Sequence, residues 1–575
     1  MSILRILILA VALYGYMQFF SKKIKPEFAL GFIFASIGSI MFFAGILNIL
    51  PLAAYTITAV GCALAVLSVK DFKNSVLRII TPGTVFFAVL SVFFAISFRG
   101  DLFTGSDVYH HWGTVVNTLV KYNRFPTADN FNIVFPSYPT GSAAFIYFFA
   151  KILNIHSEGF IVLMQTILTL GMFISVFAFA KGKVKNLITC AVVVALLCTN
   201  EPFHYLVVDN LLSAVTVAGM AVAVYHRDEL SDKFLYLLPF TVFLTAIKNS
   251  GVLFACFIAF YCFIYIAKNK QGITKSIGLM LAPFVTLILW QKHVDLLFPS
   301  NRDEAHHAMS VGHYKAMYQE KVASNIVGQT WNMYSEHVFT LNNVFIVVAV
   351  LIVLCIVCDY AVHKKPNRNF IHISVFSIAI YVVYQIGLLG MYLFSMPVYE
   401  MSNPDFLPSY DRYHLTIIVV VSALVYIGIL HYLDNKNSNT SFVRFVYPAI
   451  LLLSLVSVNL SCNPHYGYLK PQAESDVRWF VEYRTFLEEC NIPQKHSYLL
   501  INDQDGGFIH YATSYILDPT YCKVWSANTL KNNLDQLKDF DYIIVYDNST
   551  ETVETLSEIL GVEINERALH LDSLV

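Results

Sequence analysis

The chain has 575 residues, of which 56% are hydrophobic and only 13% are charged. Soluble domains carry about 25% charged residues, so this composition excludes an ordinary soluble enzyme. The net charge of −1 excludes a basic, nucleic-acid-binding protein. The apolar residues come in blocks of about 20, the length of a helix that crosses the hydrocarbon core of a bilayer.

Hydropathy predicts about fourteen membrane-spanning helices. Arg5 precedes the first apolar run, but three lysines between positions 22 and 25 follow it without a small-residue cleavage site, so we interpret it as a retained span and not as a signal peptide. The stretch 141–153 is short, and it is either a re-entrant or interfacial helix or a fifteenth crossing. The predicted spans are 3–20, 28–48, 52–69, 79–98, 159–180, 186–200, 211–226, 234–247, 250–267, 276–298, 343–362, 370–395, 413–433 and 445–461.

Basic residues in the short loops predict the orientation of these spans, because such loops stay in the cytoplasm. All the basic loops fit the cytoplasmic side at once, most simply if 141–153 does not cross. We therefore expect a multi-pass protein of the plasma membrane. Its extracytoplasmic parts are loops 99–140, 200–210, 299–342 and 396–412 and the tail after residue 461.

The tail, residues 462–575, is more polar and has shorter apolar runs. Tyr498–Asn502 and Tyr542–Tyr546 are predicted as buried strands, with helical patterns near 528–538 and 551–560. Strands that alternate with helices indicate a small α/β domain. We therefore divide the chain into a membrane domain, residues 1–461, and a soluble domain, residues 462–575.

The outer loop, residues 99–140, concentrates side chains that can carry out chemistry. It contains Asp101, Asp107, His110, His111 and Trp112 just above the predicted membrane surface. A carboxylate held there can act as a general base towards an incoming hydroxyl group. The alternative is an interfacial helix anchored by its aromatic residues at headgroup level.

Two short motifs of this loop resemble those of the GT-C glycosyltransferases, a superfamily that includes protein mannosyltransferases and the aminoarabinose transferase of lipid A. Asp107–His110 matches the D-x-[FY]-H element, and Tyr138–Gly141 matches the proline element before the next span. Val108 and Thr140 depart from the acidic residue and the second proline that are common in the family. The subfamily and any metal ligand therefore stay unassigned.

The resemblance implies a GT-C-like helical fold and an inverting transfer of a sugar from a polyprenyl-phosphate carrier. The acceptor is a glycan, lipid or protein outside the cytoplasm. Asp107 is then the catalytic base, with Asp101 as the alternative, and His110 and His111 bind substrate. Asp101 also fits a surface charge that flanks a helix. A divalent metal is compatible with this chemistry, but no residue is assigned to it.

Two cations are candidates for binding the phosphate of the carrier. Lys248 lies between two short apolar helices, and an ionisable side chain at such a place indicates a functional site. The alternative is a lysine at a helix end whose side chain extends to the membrane surface. Arg412 and Tyr413 resemble the R-Y element of many GT-C proteins, and a guanidinium matches a phosphate well. The alternative for Arg412 is an interfacial pair with Asp411.

Loop 200–210 adds Glu201 and Asp209 as candidates for binding the acceptor or the sugar, unless they cap a helix end. Competing functions are a polysaccharide polymerase or ligase, a lipid-linked sugar transporter (flippase) and a non-catalytic scaffold. Transporters tend to show internal repeats and ionisable residues at mid-membrane. Here the polar residues crowd the outer interface instead, which favours a membrane glycosyltransferase.

Overall fold

The computed structural model describes a helical membrane domain followed by a small domain that contains a sheet. The described residues are 3–69, 72–128, 133–268, 272–298, 311–340, 343–364, 367–401, 403, 407–434, 442–491, 496–503 and 507–571.

Eight helices in these ranges are long and apolar enough to cross a membrane. They are Ile3–Phe20, Pro26–Ile46, Leu50–Leu67, Glu158–Phe179, Ile273–Leu297, Arg368–Phe394, Tyr410–Leu433 and Arg444–Cys462. The number rises to ten if each bent pair is one span: Phe72–Ile79 with Pro82–Ser97, bent by 78°, and Arg227–Tyr236 with Leu238–Ile247, bent by 60°. These helices indicate a multi-pass membrane protein.

The predicted number of about fourteen spans is not confirmed, because several apolar helices are short. A helix rises about 1.5 Å per residue, so 15 residues cover about 22 Å of the roughly 30 Å of hydrocarbon. The short apolar helices are Gly141–Leu153, Val184–Cys198, Asp209–Tyr225, Gly251–Ala267 and Ile346–Ala361.

The helix Gly141–Leu153 begins and ends beside the outer loop. Tyr138, before it, lines a cavity together with Asp107 of the outer loop. Glu158, after it, accepts a hydrogen bond of 2.8 Å from the backbone N–H of Phe103 in the same loop. Both flanks therefore contact the outer loop, and all residues of the helix except Lys151 are buried.

The spans differ in how much of their surface faces lipid. In the most apolar segment of Tyr410–Leu433, 94% of the residues are buried, and this helix lies at the centre of the bundle; the share is 28% in Ile3–Phe20 and in Ile273–Leu297. Helices Ile3–Phe20 and Leu50–Leu67 approach closely, because a Cβ atom on Gly15 would collide with the carbonyl oxygen of Gly61. Small residues at such contacts are typical of helix pairs in membranes.

Several further helices lie between or after the spans. In the outer loop a π-helix, Val108–Trp112, continues into Gly113–Tyr122. The others are Val311–Ala323, Val327–Thr340, the turns Phe203–Tyr205 and Tyr399–Met401, and in the tail Glu474–Glu489, Gly507–Leu517, Ala527–Asn532 and Thr550–Leu560.

The tail contains four strands: β1 (Tyr498–Ile501), β2 (Cys522–Trp525), β3 (Tyr542–Val545) and β4 (Ala568–His570). They form one sheet in the order β2-β1-β3-β4. Parallel pairs join β1 to β2 and β1 to β3, and β4 is antiparallel to β3. The two strands expected from the sequence correspond to β1 and β3, whereas β2 and β4 lack a continuous apolar run. We call residues 462–571 the tail domain.

The tail domain packs on the outer loop and on the start of helix Glu158–Phe179. Arg484 Nη2 lies 2.5 Å from Glu158 Oε1, and the Glu158 side chain is only 8% exposed. Lys121 pairs with Asp518 at 2.9 Å. The Gln472 amide accepts from the backbone N–H of Leu102 and donates to its carbonyl oxygen, both at 2.8 Å.

Aromatic contacts extend this interface. The ring centroid of Tyr109 in the outer loop lies 5.5 Å from that of Phe508 and 5.3 Å from that of Tyr515. It also stacks on Phe480 at 6.1 Å. Buried aromatic surface stabilises such contacts strongly, so the tail domain holds the outer loop in a defined position.

We expect Arg484→Ala to destabilise the docked tail domain by about 3 kcal/mol, because it leaves the buried Glu158 carboxylate without its cation. The readout is thermal unfolding in detergent together with proteolytic release of the tail domain. Arg478→Ala is the control, since the Arg478 and Glu482 side chains are 75% and 62% exposed. Equal behaviour of the two variants would contradict a stabilising role of the Glu158 pair.

Candidate active site

A polar cavity of about 300 Å³ lies where the outer loop, the ends of several helices and the tail domain meet. Among the residues predicted for the site, Asp107, His110, Asp209, Lys248, Arg412 and Tyr413 line it. The other lining residues are Trp112, Val134, Phe135, Tyr138, Met396, Tyr399, Glu400, Ser409 and Tyr511. We call this space the polar cavity.

The Asp209 carboxylate lies between the two cations of the cavity. Lys248 Nζ donates to Asp209 Oδ1 at 2.8 Å, and Arg412 Nε lies 3.3 Å from Asp209 Oδ2. The Asp209 side chain is 5% exposed. A buried charge is tolerated when oppositely charged groups surround it, so this one carboxylate fixes the positions of both cations.

Arg412 also reaches the outer loop. Its Nη1 donates to Asp107 Oδ2 at 2.6 Å, so the predicted base and the predicted phosphate ligand are in direct contact. The observed partners of Arg412 are therefore Asp107 and Asp209 instead of the alternative, Asp411.

Lys248 lies at a break between helices Leu238–Ile247 and Gly251–Lys268, with extended backbone angles. The turn is tight, because a Cβ atom on Gly251 would collide with the carbonyl oxygen of Leu244. The Lys248 ammonium lies 5.0 Å from the centroid of the Tyr413 ring and 5.9 Å from that of Tyr138. Lys248 is thus buried in the site, which argues against a lysine that extends to the membrane surface.

The π-helix after Asp107 presents its two histidines to different surroundings. Such wide turns often occur at functional sites. His110 lines the polar cavity, and burial lowers its pKa while the nearby Asp107 opposes this shift. His111 instead packs among the rings of Trp112, Phe135 and Tyr138.

Burial lowers the pKa of His111 to about 3. Its imidazole is therefore neutral at physiological pH, and neither ring nitrogen has a hydrogen-bond partner in the described ranges. His111 is not among the residues that line the polar cavity. Its predicted part in substrate binding stays a prediction.

Asp101 and Glu201 also lie outside the lining of the polar cavity. Asp101 is buried and pairs with His204 at 2.6 Å, so it is not a surface charge. Glu201 accepts a hydrogen bond of 2.9 Å from the backbone N–H of Asn210, at the start of helix Asp209–Tyr225. Burial and then the Asp209 carboxylate raise the pKa of Glu201 to about 8, whereas its hydrogen bond with Asn210 is that of a carboxyl group at a helix start.

Several lining residues were not expected from the sequence, among them Tyr399, Glu400 and Tyr511. Tyr399 and Glu400 lie on a short turn before Arg412, and Tyr511 belongs to a helix of the tail domain. The first two could have been inferred from their loop, which already carried Arg412. Nothing in the pattern around Tyr511 indicates a site, because a tyrosine on a soluble helix is ordinary.

An apolar groove of about 610 Å³ adjoins the polar cavity. The two spaces share Tyr138, Asp209, Lys248 and Tyr413 in their lining. The groove continues along the helices Gly251–Lys268, Ile273–Leu297 and Arg368–Phe394. Its other lining residues include Val252, Leu253, Cys256, Phe284, Leu388, Met391 and Phe394.

The site therefore combines three carboxylates (Asp107, Asp209 and Glu400), two cations and an apolar groove in one opening. A bound phosphate would face both cations. Within the described ranges, no group of three or more His, Cys, Asp or Glu side chains is placed to hold a metal ion. The arrangement suits an amphiphile whose anionic head binds Lys248 and Arg412.

We expect Asp209→Asn to lower the stability by about 3 kcal/mol, because the buried Lys248 and the half-buried Arg412 lose their shared carboxylate. Unfolding in detergent measures the change. Asp228→Asn serves as the control, since the Asp228 side chain is 82% exposed. A Lys248→Met change added to Asp209→Asn should restore part of the loss, and additive losses would contradict the coupling of these residues.

Comparison with known proteins does not identify the chain. No protein-family model matches the sequence, and neither a curated protein nor a solved structure matches it. The resemblance to the GT-C glycosyltransferases therefore depends on the short motifs of the outer loop and of the R-Y pair.

Proposed function

We propose that this protein is a membrane glycosyltransferase of the GT-C type. It transfers a sugar from a polyprenyl-phosphate carrier to an acceptor of the cell envelope, with Asp107 as the base. On this proposal it is a multi-pass protein of the plasma membrane, and its polar cavity opens on the extracytoplasmic side.

The observation that carries the proposal is the junction of the apolar groove and the polar cavity. Lys248 lines both spaces, and Arg412 is linked to it through Asp209. A polyprenyl chain fits a groove of apolar side chains along membrane spans, and its phosphate then reaches two cations. The sugar on that phosphate extends into the cavity, towards Asp107.

The proposed step transfers the anomeric carbon of the sugar from phosphate to the acceptor. The acceptor oxygen attacks this carbon, and the bond between the carbon and the phosphate oxygen breaks. The acceptor proton passes to the Asp107 carboxylate, and the polyprenyl phosphate leaves with the bonding electron pair. Attack from the face opposite the leaving group inverts the anomeric configuration.

Charge develops on the leaving phosphate as this bond breaks. Lys248 and Arg412 stabilise that charge, and preorganised cations of this kind lower the barrier because they need no rearrangement during the reaction. Arg412 Nη1 contacts the Asp107 carboxylate. Phosphate binding draws the guanidinium towards the carrier and so frees Asp107 for the acceptor hydroxyl.

The alternatives, a polymerase or ligase and a lipid-linked sugar transporter, would also need a lipid-phosphate site. A transporter needs no base, so loss of the Asp107 carboxylate should not remove its activity. A polymerase or ligase would join longer glycans, so the product distinguishes it.

Asp107→Asn should abolish transfer, because a general base contributes about 10²–10⁴-fold to the rate. The measurement compares the envelope glycans of a strain that lacks the gene with those of strains complemented by wild type or variant. Asp411→Asn is the control, a neighbouring exposed aspartate outside the lining of the polar cavity. Full restoration by Asp107→Asn would remove Asp107 as the base.

Arg412→Ala should weaken binding of farnesyl phosphate by about tenfold or more, because a charge-assisted hydrogen bond is lost. The binding of farnesyl phosphate and of farnesol to the detergent-purified protein is measured. Farnesol lacks the phosphate, so the substitution should change its binding little. Arg368→Ala is the control, an exposed arginine at the opposite end of the span Arg368–Phe394. Unchanged binding of farnesyl phosphate would assign Arg412 a structural role.

A further inference from the structure

The polar cavity has two distinct ends. One end adjoins the apolar groove and carries Lys248, Asp209 and Tyr413, which line both spaces. The other end is lined by residues that do not line the groove, among them His110, Tyr399, Glu400 and Tyr511. A carrier held by its chain and phosphate at the first end leaves the second end for another molecule.

The second end is built jointly by the membrane domain and the tail domain. Tyr511, on helix Gly507–Leu517, lies with its ring centroid 3.9 Å from that of His110. The neighbouring residue Phe508 contacts Tyr109. The salt bridge between Lys121 and Asp518 joins the outer loop to the chain just beyond this helix.

The docking contacts give Tyr511 a fixed place in the cavity wall. The same helix packs against the sheet of the tail domain, and its Tyr515 contacts the Tyr109 ring at 5.3 Å. A side chain fixed by packing on both sides is suited to recognition, because little freedom is lost when a ligand binds. The tail domain is therefore part of the site.

We infer that this second end is a saccharide-binding subsite for the acceptor, with Tyr511 as a specificity-determining residue; this rests on the proposed function. Tyr511 and Tyr399 line this end, and aromatic rings pack well against the apolar face of a sugar ring. Glu400 and His110 add polar atoms for its hydroxyl groups. The His110 Nε2 atom has no hydrogen-bond partner in the described residues.

The other acceptor classes fit this end less well. A peptide commonly binds by adding a strand to the edge of a sheet, but the described residues of this wall lie on helices, turns and loops. A lipid acceptor needs an apolar surface, and the apolar groove lies at the opposite end, where the carrier is placed. Rings with a carboxylate and an imidazole match a polyhydroxylated ligand.

Photo-crosslinking in cells tests the subsite without requiring transfer. A benzophenone amino acid replaces Tyr399, whose side chain is 63% exposed at the rim, and the cells are fed a radiolabelled sugar. We expect the irradiated protein to capture labelled saccharide. Adding Tyr511→Ala should reduce this capture by about tenfold, because a stacking contact is lost.

Tyr521→Ala is the matched control, a partly exposed tyrosine of the same domain outside the lining of the polar cavity; it should leave capture unchanged. Capture of lipid or protein instead of saccharide, no capture, or equal capture with and without Tyr511→Ala would each overturn the inference. Farnesyl phosphate binding by the same protein tests the carrier end independently. If saccharide capture fails while farnesyl phosphate still binds, the acceptor subsite is wrong and the carrier site stands. If farnesyl phosphate does not bind, the proposed function itself fails.

Discussion

The buried carboxylate of Asp209 holds the candidate site together. It binds Lys248 from the break after helix Leu238–Ile247 and faces Arg412 at the start of the span Tyr410–Leu433. An isolated charge in such a place is strongly unfavourable, so each of the three groups depends on the others. This mutual requirement fixes the ends of three helices relative to one another. Its pairing with Asp209 sets the position of the Arg412 guanidinium group, which then contacts Asp107.

The outer loop needs a second constraint, because a long connection has no fixed position of its own. The tail domain supplies it through the pair of Glu158 and Arg484 and through the rings packed on Tyr109. Asp107 immediately precedes the π-helix to which Tyr109 belongs. Precise placement of a reacting group depends on such supporting contacts, so the tail domain contributes to the geometry of the site.

The opening is divided into an apolar groove and a polar cavity because the side chains that line it change along the surrounding helices. The spans that line the groove present apolar side chains towards it, as membrane helices do. The ionisable groups collect where these spans end, so that one continuous space changes from apolar to charged near Lys248. A ligand that fills both parts must itself be amphiphilic. This physical property, more than any single residue, supports a lipid-linked substrate.

The sequence by itself determined that the chain is a multi-pass helical protein, since apolar segments of about 20 residues are stable mainly as helices that cross a membrane. It also singled out Asp107, Lys248 and Arg412, because ionisable groups beside apolar spans are conspicuous, and it placed their loops on one side of the membrane. The tertiary structure decided which helices bend or stop short, and it showed that two cations share Asp209. It also showed that Asp101 pairs with His204 instead of lining the polar cavity, and that Tyr511 of the tail domain lines this cavity. Hydropathy reports how each segment partitions between water and lipid, whereas distances between residues far apart in the chain depend on how the folded helices and domains pack.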